Sequence, residues 1–156
     1  MQGALVEGTI VIIDLDRFEE VTERLGLDRY RPNRYTGLLS GLVESLASRW
    51  SAVVVYGLDW RRGTEEAVLE IPLVEPREVK GDLVKLARRL CEEGIPATIV
   101  AVKGLVGAAR PIGRREAYTG SPDRARARRL LESLKRRGGG AVLVEDAIVW
   151  RCRGSV

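Results

Sequence analysis

Thr9-Ile10-Val11-Ile12-Ile13-Asp14-Leu15-Asp16-Arg17-Phe18 organises the reading of this chain. Ile10 to Ile13 and Leu15 are apolar and mostly β-branched, the pattern of a strand buried on both faces. Asp14 and Asp16 stand at its carboxyl end. A carboxylate in apolar surroundings is costly unless it is paired or binds a cation. In sheets covered by helices, ligand sites gather where strands end and helices begin. Asp14 and Asp16 are therefore candidate metal ligands. The local alternative has Asp16 capping the next helix and Asp14 making a structural hydrogen bond.

Outward from this strand (residues 9–15), the pattern predicts a short helix with Phe18, Val21 and Leu25 on one face and Gly26 as its stop. A basic loop, Asp28-Arg29-Tyr30-Arg31-Pro32-Asn33-Arg34, follows. Leu38, Leu39, Leu42, Val43 and Leu46 then form one helical stripe. Residues 51–58 and 65–74 read as a strand hairpin around the polar turn 59–64. A helix starts at Asp82 with Leu83, Leu86, Ala87, Leu90 and Cys91 inward, and a buried strand spans 96–106. Residues 107–121, rich in Gly, Pro and Arg, read as a long loop. Ser121 and Pro122 open a last helix as N-cap and first helical position, with Ala127, Leu130, Leu131 and Leu134 inward. Gly138-Gly139-Gly140 ends it. A strand over 141–145 and a tail to Val156 complete the chain. The order β-α-α-β-β-α-β-α-β contains the split β-α-β-β-α-β arrangement, an α+β, ferredoxin-like fold. There the first strand lies centrally beside the third, so the hairpin acids Asp59, Glu65 and Glu66 approach Asp14 and Asp16.

The length of 156 residues suits a single domain spanning 1–156. The chain has no histidine, which excludes Ser-His-Asp and Cys-His catalysis and histidine metal sites. A metal here would be a hard cation on oxygen, Mg2+ or Mn2+. Cys91 and Cys152 lack metal-ligand spacing, and Cys91 reads as core packing. No apolar run approaches the ~20 residues of a membrane span, and Met1 to Glu7 lacks a signal-peptide pattern, so a cytoplasmic location is expected. Scarce thermolabile side chains with abundant Arg and Glu suggest a thermophile. The net charge of +4 is uneven: residues 110–137 hold ten basic and three acidic side chains. That segment could meet phosphates or nucleic acid, or be a solvated helix face. Lys135-Arg136-Arg137 also suits a helix C-terminus without any ligand. No Gly-x-x-x-x-Gly-Lys-Ser/Thr phosphate loop is present.

Acids from a strand end and a neighbouring hairpin can share divalent cations and clamp a phosphoryl transfer. The turn Leu15-Asp16-Arg17-Phe18 adds backbone N–H groups at a helix start, which suit a triphosphate. Asp14-Leu15-Asp16-Arg17-Phe18-Glu19-Glu20-Val21-Thr22-Glu23-Arg24-Leu25-Gly26 resembles the opening of a GGDEF (diguanylate cyclase) domain. Gly63-Thr64-Glu65-Glu66-Ala67-Val68-Leu69-Glu70-Ile71 resembles its signature hairpin, and Leu130 to Gly138 its last helix. The resemblance implies the nucleotidyl-cyclase-like palm fold. It implies metal ligation by Asp14 and Glu65, assistance by Glu66 at the reacting hydroxyl, and phosphate contact by Lys135. Thr22 stands where the family has a guanine-reading Asn, and Gly138-Gly139-Gly140 where it has a phosphate-binding Arg.

Archaeal-type GTP cyclohydrolase III, a palm-fold enzyme, is also similar. Arg31-Pro32-Asn33-Arg34 resembles its loop after the first strand, and Leu58-Asp59-Trp60 the end of its second strand. That resemblance makes Asp59 the second acid and brings Arg34 to the nucleotide. It implies two such domains, for which a homodimer could substitute. The minimal polymerase or cyclase domains linked to CRISPR systems share the plan as well. The expectation is a metal-dependent enzyme acting on a purine nucleoside triphosphate, GTP first. The alternatives are a non-catalytic nucleotide sensor and a nucleic-acid-binding module, for which Trp60 and Tyr118 would be the stacking aromatics.

Overall fold

The computed structural model describes residues 4–28 and 30–153. Met1 to Gly3, Arg29 of the basic loop and the end of the tail lie outside the described residues. The elements are β1 (Val6–Leu15), α1 (Phe18–Arg24), α2 (Arg34–Trp50), β2 (Val53–Tyr56), β3 (Glu66–Pro72), α3 (Pro76–Glu92), β4 (Ala97–Val106), α4 (Arg114–Thr119), α5 (Pro122–Arg136), β5 (Ala141–Val144) and β6 (Ala147–Arg151). They form one sheet in the order β2-β3-β1-β4-β5-β6. β1 is antiparallel to both β3 and β4, while β4 and β5 are parallel. The four-strand β2-β3-β1-β4 unit is the ferredoxin-like palm arrangement, with β1 central as its apolar run requires.

Alternation along β1 divides the core. Val11, Ile13 and Leu15 face α1, α2 and α3, where Leu39, Val43, Leu46, Leu83 and Leu90 are buried. Ile10 and Ile12 face α4 and α5, against Ala117, Tyr118, Ala127, Leu131 and Leu134. Burying each such Leu contributes about 2 kcal/mol. Asp14, next in the alternation after Ile12, points to the α4–α5 side.

Several boundaries differ from expectation. The third helix begins at Pro76, six residues before Asp82, because Glu75 and Glu78 form a capping box and Pro76 occupies the first turn. Leu25 lies just beyond α1 and is exposed, since Gly26 turns the chain at once. Residues 107–121 contain α4, a single turn and a half that buries Ala117 and Tyr118. The tail carries β6, antiparallel to β5. Cys91 is not simple core packing: it forms a disulfide with Cys152, 61 residues away, with Cα atoms 5.8 Å apart. Closing a loop of that length stabilises by about 4 kcal/mol in the chain-entropy picture. α2 and α5 start where the caps put them, with Asn33 Oδ1 accepting from Tyr35 and Thr36 and Ser121 Oγ from Arg124.

Candidate functional site

The β1 register brings the site together. Asp14 lies opposite Glu66 of β3 on one side and Thr98 of β4 on the other. Directly opposed residues share a face, so Glu66, Asp14 and Thr98 make a polar row across the end of the sheet. The preceding row, Val68, Ile12 and Val100, is wholly apolar and buried. Gly57 helps set Glu66: its φ is +108°, and a Cβ there would stand 1.9 Å from the Glu66 carbonyl oxygen.

Each acid of the row meets a cation from the helices above. Lys135 Nζ, at the last turn of α5, is 3.2 Å from Asp14 Oδ2 and 3.8 Å from Asp16 Oδ1. Arg114 Nε donates to Glu66 Oε1 at 2.6 Å, and the Tyr118 hydroxyl donates to Glu66 Oε2 at 3.0 Å. Burial lifts the Asp14 carboxyl to about 6; Lys135 pulls the other way and Glu66 adds to the rise. Burial also raises Tyr118 above the usual phenol range, reinforced by Glu66. A cleft of about 560 Å3 opens over the row, lined by Asp14, Arg17, Phe18, Arg62, Glu65, Glu66, Arg114 and Lys135 among others. It carries both signs of charge. A wider open groove of about 800 Å3 follows β6 and contains no acid.

The other residues singled out from sequence are dispersed around this row. Glu65 is exposed at the cleft mouth, and its carbonyl accepts from Leu15 N at 3.0 Å. Asp16 is turned away: Oδ1 accepts from Thr98 Oγ1 at 2.7 Å and Oδ2 from Gly140 N at 2.6 Å. Burial raises its pKa while those two hydrogen bonds oppose the rise. It does not cap α1, whose N-cap is Arg17 in the left-handed region. Asp59 sits on an adjoining cavity of about 260 Å3. Its Oδ1 accepts from the backbone N–H groups of Arg61 and Arg62, which hold its pKa below the usual value. Leu15 and Phe18 contribute to the cleft wall but are mostly buried. Thr22 is buried within α1, donating to Phe18 O and Glu19 O. Arg34 lies outside the cleft and donates to Tyr35 Oη. Trp60 is exposed, whereas Tyr118 is 2% exposed and cannot stack on a base.

Arg114 is not singled out by the sequence, and Tyr118 reads as a stacking aromatic rather than a partner of Glu66, because their segment reads as a loop. Their signal was the i, i+4 spacing that places both on one face of α4. One acid was also missed: Glu70 shares the Glu66 face of β3 and pairs with Arg124 at 2.9 Å. Its signal was an acid inside the otherwise apolar run Ala67 to Ile71.

No family profile and no curated protein matches this sequence. Solved structures do match by shape. The diguanylate cyclase SiaD of Pseudomonas aeruginosa, solved with its activator SiaC, superposes with TM-score 0.55 at 19% identity over 88% of this chain. The chain has the nucleotidyl-cyclase palm fold. A bacterial light-regulated adenylyl cyclase superposes with TM-score 0.54 at 15% identity over 90% of it. The palm described here spans 50% of the SiaD chain and 76% of the adenylyl cyclase chain.

Among the described residues, no three acid or cysteine side chains of the palm converge as a metal-binding group. Mg2+ is commonly held by only one or two carboxylates, with substrate phosphates and water completing its shell. Asp14 and Glu66 are two such carboxylates on one face; Glu66 is engaged by the exposed Arg114 and by Tyr118, whereas both Asp16 oxygens are held by the buried Thr98 and Gly140. No described helix is long and apolar enough to cross a membrane.

Proposed function

We propose that the palm cleft binds a purine nucleoside triphosphate with a divalent cation, Mg2+ or Mn2+, and catalyses a reaction on that nucleotide. The supporting observation is the register-locked Asp14–Glu66 pair facing Lys135. Asp14 and Glu66 would hold the cation, which supplies charge neutralisation to the phosphates when bound. Glu65, at the mouth, is a further acid of the cleft lining, together with Glu19 and Glu20.

The chain's own residues do the rest. Lys135 neutralises Asp14 in the free protein and can donate instead to a phosphate oxygen. Arg62 and Arg114 line the same cleft and offer guanidinium donors suited to phosphate. Drawing Arg114 toward a phosphate would free Glu66 Oε1, while Tyr118 would still hold Oε2 in place. Thr98 and Gly140 keep Asp16 fixed, and Asp16 in turn helps hold Lys135.

Calorimetry with GTP and ATP, with and without Mg2+, tests the reading alongside assays for pyrophosphate, cyclic products and ring opening. Binding that requires both nucleotide and metal, and that weakens more than about tenfold in Asp14→Asn, is expected. Unchanged binding and turnover in that variant would remove the site. The engagement of both Glu66 oxygens favours a second reading, a nucleotide-binding palm without turnover. It predicts a calorimetric signal with no product in any of the three assays.

A further inference from the structure

Behind the cleft, a second cavity of about 400 Å3 is lined by Asp16, Arg17, Arg24, Arg153 and both cysteines. Cys91 and Cys152 are each half-buried, so a small reagent in this cavity reaches the disulfide. Arg17, Arg24 and Arg153 outnumber the acids Asp16 and Glu20 in this lining, a balance that favours departure of a thiolate from the disulfide.

A short chain of hydrogen bonds leads from this bond to the cleft. Cys152 N donates to Gly140 O at 2.7 Å. Gly140 N donates to Asp16 Oδ2 at 2.6 Å. Gly139 and Gly140 have φ of +63° and +57°, and a Cβ on Gly139 would lie 2.8 Å from Asp16 Oδ2. Three glycines let this turn close on the carboxylate. The turn also finishes α5, with Gly138 N donating to Lys135 O and Gly139 N to Leu134 O. Asp16 and Cys152 thus hold opposite sides of the turn that follows Lys135.

We propose that the Cys91–Cys152 disulfide is a redox modification site, reduced by a small dithiol through this cavity, and that its state sets how firmly the Gly138–Gly140 turn is held. One thiolate of the reductant attacks a cystine sulfur, forming a mixed disulfide and releasing the other cysteine as a thiolate. The second reductant thiol then displaces the remaining cysteine and closes the oxidised reductant. Two electrons pass from dithiol to cystine, and two protons end on Cys91 and Cys152. In the reduced chain, Cys152 is no longer tied to α3, its bond to Gly140 O is free to open, and the Gly140–Asp16 contact loses its outer support.

The test uses the intact protein without nucleotide, so it succeeds or fails independently of the function proposed above. Dithiothreitol is added far below the unfolding temperature, and iodoacetamide labelling of a sample counts the free thiols. Amide hydrogen exchange is followed in the reduced chain at Gly140 and at Val11, which is paired on both sides in the sheet centre. Two labelled thiols and exchange at Gly140 faster by at least about tenfold, with Val11 unchanged, are expected. Failure to label before unfolding, unchanged exchange at Gly140, or equal acceleration at both amides would each overturn the proposal.

Discussion

β3 carries two acids four residues apart on one face, and the α4–α5 layer answers each with an arginine. Glu70 and Arg124 are closed in. Their side chains are 1% and 9% exposed, and every charged group is satisfied. Glu70 also accepts from Gly107 N and Ala108 N, and Arg124 donates to Ala117 O and Glu116 O. The second pair is half open: the Glu66 side chain is 14% exposed, but that of Arg114 is 53% exposed at a cleft. The same pair of residue types thus serves as a buried clasp in one place and lines an open cleft in the other. What separates them is position along the strand. Glu70 lies under the loop after β4, where the two helices close over the sheet. Glu66 lies where β1 and β3 end, under Arg114 and Tyr118 of α4 but beside the open cleft.

The sharpest way to break this contrast is Arg124→Ala. It leaves Glu70 charged, buried and short of one partner, and should cost 3–5 kcal/mol, on the order expected for half of a buried pair. Urea unfolding followed by circular dichroism measures it; a loss under about 1 kcal/mol would mean the clasp is dispensable.

Asp14 gives the next effect, through pH. Its folded pKa of about 6 lies above the reference 3.8. The folded chain therefore binds more protons between those values, and this contribution to stability falls as pH rises through them. Asp14→Asn removes that dependence. The stability of the native chain relative to this variant should drop by about 2 kcal/mol between about pH 4 and about pH 7. Parallel denaturation curves at the two pH values read it directly, and a rise instead of a drop would contradict the burial assigned to Asp14.

Arg114→Ala should have the smallest effect, within about 1 kcal/mol, because an exposed guanidinium is screened by solvent and Tyr118 still donates to Glu66. Its consequence belongs to ligand binding: nucleotide affinity should fall while the melting temperature barely moves. A melting loss as large as that of Arg124→Ala would erase the distinction between clasp and site.

Much of the fold was legible because local chemistry and tertiary structure agreed. The unbroken apolar run of β1 demanded a central strand, and Ser121-Pro122 placed the start of α5; Asn33, read within a basic loop, proved to be the cap of α2. The misreadings occurred where local signals were weak. α4 is too short to show a stripe, and the Arg-Pro-Gly composition around it resembles a loop. β6 follows a two-residue turn in a segment without clear alternation. The site was legible in part. Asp14 and the hairpin acids were visible as carboxylates at strand ends, but which of them face each other depends on register, and a one-residue shift exchanges faces.

By itself, the sequence determined that Asp14 and Asp16 stand at the end of a buried strand in a histidine-free chain, because alternation and apolar runs are local properties. Only the tertiary structure decided that Asp14 meets Glu66 and Lys135, that Asp16 turns away to hold Gly140, and that Cys91 reaches Cys152. Those pairings join residues 52 to 124 positions apart. They arise when strands align and helices close over them, and no local propensity encodes that closure.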